Sequence, residues 1–151
     1  MHLPAAALAL TLAATGAMAQ QVSDCDWRAS AQAVAEPWEQ NSRTFSNGDV
    51  RLALLDTIEP AAAAFHLLVL SPPYDEVGGR QCRVISFQGA TGFGAMDFAA
   101  LFAEYDSARG LFFEIPVEVY DGTQDEMIPR WLNLVLNQAT GEIDAWLHLG
   151  A

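Results

Sequence analysis

The sequence predicts a mainly β fold, an antiparallel β-sandwich or a partly open barrel, with a short N-terminal helix and, on one of two readings, a second helix near 97–108. Three observations predict it. The runs Val50 to Thr57, Ala64 to Ser71 and Cys82 to Phe87 are rich in Val, Ile, Leu and Phe, too short for typical helices, and separated by Glu59-Pro60, Pro72-Pro73 and Gly78-Gly79. Short apolar runs bounded by Pro and Gly read as strands. Asn47-Gly48 then stands between Arg43-Thr44-Phe45 and Val50-Arg51-Leu52, the strongest hairpin signal in the chain. Near the C-terminus, Trp131 to Leu136 and Glu142 to Leu149 flank the turn residues Asn137 to Gly141, a second hairpin.

Taken from the start, Leu3 to Ala14 is an Ala/Leu-rich run, and Ala17-Met18-Ala19 is a small-x-small site before Gln20. Residues 1–19 therefore read as a secretory signal peptide. Its apolar run falls short of the ~20 residues that span a membrane. Residues 20–151 are of single-domain length and are expected to form one exported β-rich domain, periplasmic or secreted, with no membrane span in the mature chain.

The charge balance narrows the partners. Nineteen Asp plus Glu against seven arginines and no lysine give a net charge of −12. Nucleic acid and anionic membrane surfaces, which bind through Lys/Arg patches, are excluded as expected partners. A cationic partner is compatible with that charge.

Cys25 and Cys82 are an even, unclustered pair in an exported chain, and a disulfide is expected. It would tie the N-terminal segment to the third apolar run. A zinc site drawn from Cys25, Cys82, His66 and His148 has none of the usual short ligand spacings. No metal and no cofactor is expected.

Asp24 or Asp26 is a candidate cap for a helix reaching about Glu36, with Trp27, Ala31, Val34 and Trp38 on one face and Pro37 at its end. The Asn47-Gly48 turn, taken as a two-residue loop, pairs Phe45 with Val50. That register places Phe45, Val50, Leu52 and Leu54 on one face and Thr44 and Arg51 on the other. The segment from Pro72 to Gly79 reads as an exposed loop. Gly89, Gly92 and Gly94 have neither the spacing nor the strand–helix–strand context of a dinucleotide-binding turn. His66, inside an apolar strand, reads as a hydrogen-bonded residue of the interior.

Residues 97–108 fit two templates. Phe98, Leu101, Phe102 and Tyr105 have helical spacing behind Asp97 as cap, whereas Leu101, Ala103 and Tyr105 alternate and would face Ile115, Phe113 and Leu111 across a turn at 106–110. The helix is the expected form. Leu111 to Tyr120 reads as a strand in which Pro116 marks an edge or a bulge. Asp121, Asp125 and Glu126 in the following loop lack the EF-hand order.

The last hairpin supplies the candidate site. A loop over 138–141 pairs Leu136 with Ile143, Leu134 with Ala145 and Leu132 with Leu147, an apolar core face. The opposite face then carries Trp131 beside His148 and Asn133 beside Trp146, a group suited to stacking on a sugar or another planar ligand. No nucleophile elbow, zinc-protease motif or P-loop is present. The expected function is an exported binding or protein-interaction module that meets an extracytoplasmic protein or a small ligand. The alternatives are an inhibitor or structural accessory of an envelope protein and, behind it, a hydrolase using carboxylates.

Overall fold

Residues 20–149, which the computed structural model describes, form strands paired into two antiparallel sheets. The expected signal peptide lies outside the described residues. The first sheet holds β1 (Gln21–Asp24), β2 (Ser42–Phe45), β3 (Val50–Asp56), β4 (Phe65–Tyr74) and β5 (Arg80–Ser86), in the spatial order β1-β5-β4-β3-β2. The second holds β6 (Ala95–Met96), β7 (Phe102–Asp106), β8 (Gly110–Asp121), β9 (Glu126–Leu136) and β10 (Ile143–His148). Its order is β10-β9-β8, with β6 and β7 both pairing with β8. The sheets are not closed into a barrel; they stack as a sandwich.

Period-two alternation decides which side chains fill the space between the sheets. From the first sheet come Val50, Leu52, Leu54, Leu67, Val69 and Ile85; from the second, alternate residues of β8 and β9 such as Phe113, Ile115, Leu132 and Leu134. Phe45 joins them, its ring edge-on to Phe113 at 4.9 Å between centroids. The faces expected for the Asn47-Gly48 hairpin are thus the observed ones, and Phe45 does pair with Val50. The loop is longer than two residues. Ser46, Asn47 and Gly48 all take positive φ, and the Asp49 amide donates to the Ser46 carbonyl at 3.1 Å.

A second, smaller core lies on the outer face of the first sheet, where Ala53, Leu55, Leu68 and Val84 are covered by the N-terminal segment through Ala29, Ala33 and Val34. Cys25 and Cys82 form the expected disulfide, with Cα atoms 5.4 Å apart. The far end of the segment is held by the Ala35 amide, which donates to the Leu54 carbonyl at 2.9 Å.

The expected N-terminal helix is not formed. In its place are two 3-10 turns, Trp27–Ala29 and Ala31–Ala33, separated by Ser30 in extended conformation. The disulfide and the Leu54 contact anchor the segment to the sheet at both ends. Broken turns between those anchors direct Arg28 and Ala33 inward and leave Trp27 and Trp38 exposed.

The helix expected near 97–108 is also replaced. Asp97 does cap, accepting from the Ala100 amide at 3.2 Å, but for the single turn Phe98–Ala100. The chain then extends as β7, pairing Ala103 with Phe113 and Tyr105 with Leu111. That pairing satisfies one edge of β8, which a helix would leave with unpaired backbone groups. The sequence residues Pro72 to Gly79 are not all loop either, because β4 continues to Tyr74 through a register shift after Ser71. Pro116 marks neither an edge nor a bulge. It sits in central β8 at the break between β7, which ends opposite Glu114, and β6, which begins opposite Val117. Its carbonyl accepts from Asp97 across that break. A residue's N and O point to the same side of an antiparallel strand, so the missing N–H faces the gap and leaves no ladder bond unmade.

Candidate functional site

The C-terminal hairpin has the expected register throughout. Leu136 pairs with Ile143, Leu134 with Ala145 and Leu132 with Leu147 on the core side; Asn133 pairs with Trp146 and Trp131 with His148 on the other. The four candidate residues therefore share the outer face of the second sheet. The first sheet packs against the opposite face, and the N-terminal segment packs on the far side of the first sheet. Neither covers them.

β8 adds a residue that the sequence reading missed. Glu114 pairs with Asn133, so its side chain emerges on this same face beside the hairpin group. Alternation in Leu111 to Tyr120 does turn Glu114 outward, but only the β8–β9 register, set across an extended hairpin end at Asp121 and Glu126, shows what it stands beside. Asn133 Nδ2 donates to Glu114 Oε2 at 3.2 Å. His148 Nε2 lies 3.4 Å from the same oxygen, so β8 and β10 are bridged over the outer side of β9. The His148 Nδ1 is 2.6 Å from the Leu149 carbonyl, which only accepts, and so it carries a proton.

Asn133 is the buried centre of this group, at 5% exposure, between Trp131 and Val135 on its own strand. A carboxylate only accepts, so the amide must turn Nδ2 toward Glu114. That orientation leaves Asn133 Oδ1 buried and without a hydrogen-bond partner. A buried acceptor of this kind costs about 1–3 kcal/mol relative to a satisfied one. Grooves open on either side of the group. Trp131 lines one of about 640 Å³ together with Pro116, Asp97, Glu118 and Arg130, and Trp146 lines another of about 240 Å³ with Val135, Asp144 and Arg109.

A second polar cluster, also missed from the sequence, lies beneath the N-terminal segment. Arg28 is 4% exposed and is held by Asp26 at 2.8 Å, Ser23 Oγ at 3.1 Å and Ser86 Oγ at 2.8 Å. Ser86 Oγ also lies 2.8 Å from His66 Nδ1. Ser86 Oγ accepts from Arg28 and still has its own hydrogen and a second lone pair, so it bonds Nδ1 in either neutral tautomer. Burial, reinforced by the Arg28 charge, pushes the His66 imidazole down to about 4. Serine, histidine and an acid are thus neighbours here, but His66 and Ser86 are sealed from solvent at 1% and 0% exposure. The cluster fastens the segment to the sheet. Gly92 completes the seal, because a Cβ there would collide with the carbonyl oxygens of Ala63 and Phe65. Close backbone approach, not a phosphate, explains that glycine.

Elsewhere, the Asp121 carboxylate accepts from Thr123 and Gln124, which lowers it to about 2 and organises the β8–β9 turn. Among the described residues no three His, Cys, Asp or Glu side chains gather as a metal site, and no helix is long and apolar enough to cross a membrane. Comparison with protein-family models, with curated proteins and with solved structures finds no match for this chain.

Proposed function

We propose that this protein is an exported, single-domain binding module whose ligand lies on the outer face of the second sheet. Trp131 and Trp146 supply planar apolar surface, while Glu114, Asn133 and His148 supply polar groups between them. One observation carries the reading: a buried amide with an unpartnered oxygen sits among two tryptophans on a sheet face that neither the opposing sheet nor the N-terminal segment covers. Such a combination is costly for folding and useful for binding. The disulfide supports an oxidising, extracytoplasmic location.

Fluorescence quenching tests the site. Single-tryptophan variants retaining Trp131 or Trp146 are titrated with acrylamide, a neutral quencher that neighbouring carboxylates do not repel. Both indoles are expected to be quenched, though less than Trp27, which is exposed at 68%. If neither indole responds, they are interior residues and the binding reading falls.

A further inference from the structure

The strand positions of the proposed binding face are acidic, five carboxylates against the two arginines that line its grooves. Its strand positions include the carboxylates Glu104, Asp106, Glu114, Glu118 and Asp144, and none of them is Lys or Arg. Two arginines reach it from elsewhere: Arg109, in the β7–β8 turn, lines the groove beside Trp146, and Arg130, its Nη1 donating to the Pro129 carbonyl, lines the groove beside Trp131. The unpartnered atom at its centre, Asn133 Oδ1, is an acceptor. Donors within the central group are the two indole N–H groups, Asn133 Nδ2, already given to Glu114, and His148 Nδ1–H, already given to the Leu149 carbonyl.

A neutral sugar presents hydroxyls that both donate and accept, and it is best met by a mixture of both. A guanidinium presents five N–H donors and no acceptor, and its plane stacks on aromatic rings. It satisfies a carboxylate and an amide oxygen at once and gains cation–π attraction from an indole. A second copy of this chain, with its net charge of −12, would be repelled by the same face. Resting on the binding reading above, we propose that the face receives an arginine-bearing segment of another exported protein, one guanidinium displacing His148 from Glu114 and donating to Asn133 Oδ1. The 3.4 Å contact between His148 and Glu114 is long for a hydrogen bond and yields readily to a better donor.

The test uses the mature, oxidised chain and backbone amide NMR. The probe is a blocked Gly-Arg-Gly-Arg-Gly peptide, compared with the same peptide carrying citrulline, a neutral isostere, and with a neutral β-linked glucose oligosaccharide. The arginine peptide is expected to shift the signals of 131–135 and 144–148, and citrulline to weaken binding by about tenfold or more, as loss of a charge-assisted hydrogen-bonded pair does. Glu114→Gln should weaken it by a similar factor. Glu76→Gln removes the same charge from an exposed loop and should change it by less than about twofold, the scale of a solvated charge.

Equal losses in the two variants would mean diffuse attraction to an acidic protein and would overturn the proposal. Shifts caused by the oligosaccharide but not by the arginine peptide would keep the binding face and remove the cationic ligand. No shift of these signals with either probe would remove both. If Glu114→Gln does not fold, the citrulline comparison and the shift map on the unmodified chain decide the matter.

Discussion

Arg28 donates to Ser86 Oγ at 2.8 Å from a side chain that is almost entirely buried, while Trp27 next to it stands in solvent. The polar residue is the anchor and the aromatic one is not. Arg28→Ala removes the guanidinium from Asp26, Ser23 and Ser86 together, leaving their oxygens under the segment without that donor. Because Asp26 is partly solvated, a loss of about 2–4 kcal/mol is expected, toward the lower part of the range for broken buried pairs. Trp27→Ala should cost less than about 0.5 kcal/mol, as an exposed substitution. Urea denaturation of both variants measures the contrast. A larger loss for Trp27 would mean that the segment docks in another way.

His66 gives stability a pH dependence whose sign follows from its surroundings. Its folded imidazole takes a proton only near pH 4, whereas the unfolded chain takes one near 6.5. Between those values the unfolded state binds more protons, so the contribution is fully present above pH 6.5 and is lost as the pH falls toward 4. The slope approaches about 1.4 kcal/mol per pH unit for one proton. Carboxylates add their own acid lability below that window, so the informative quantity is a difference. Wild type minus His66→Phe, followed by chemical denaturation from pH 7 to pH 4, should lose stability progressively. A difference that stays flat would mean that His66 titrates alike in both states.

Three successive positive-φ residues, Ser46, Asn47 and Gly48, turn the β2–β3 hairpin. A Cβ at Gly48 would meet no atom, so the penalty for substitution is conformational alone. Gly48→Ala is expected to cost about 1 kcal/mol, the price of placing an L-residue in the left-handed region. Ser46 already bears a similar strain at φ 51°. Ser46→Gly should therefore be neutral or stabilising by up to about 1 kcal/mol. Opposite signs from two neighbouring positions are the result to look for in thermal unfolding; a loss at both would indicate that the Ser46 side chain has a role in the turn.

Where local chemistry and burial agree, the sequence was readable. The C-terminal hairpin is the best case: a six-residue apolar alternation on each side of one turn admits a single register that buries Leu132, Leu134 and Leu136, and that register is the observed one. The segments near residue 27 and residue 100 failed for a shared reason. Their helical spacing was real, but an unpaired β8 edge and an uncovered sheet face imposed stronger demands than local propensity, and neither demand is visible until the sheets exist. Glu114 was hidden in the same way. Its neighbour Asn133 is nineteen positions away along the chain, and their pairing depends on the full β8–β9 hairpin rather than on a short motif.

That pairing leads to a separation of stability from binding at Asn133. Leucine is close to asparagine in shape, and at this position it would remove the donor to Glu114 along with the buried, unpartnered Oδ1. The lost hydrogen bond is worth about 1 kcal/mol net, while the removed acceptor had cost about 1–3 kcal/mol, so Asn133→Leu should leave the protein equally stable or more stable by up to about 2 kcal/mol. Glu114 stays half-exposed and keeps its contact with His148, so it is not stranded by the change. Ligand affinity should fall sharply in the same variant, since the central acceptor is gone. An amide retained for the interior alone would behave oppositely, with stability dropping by more than about 1.5 kcal/mol because a satisfied polar network had been broken. Denaturant midpoints, read alongside the amide shifts produced by the arginine peptide, distinguish the two: a stable protein that no longer responds marks Asn133 as a residue kept for its ligand.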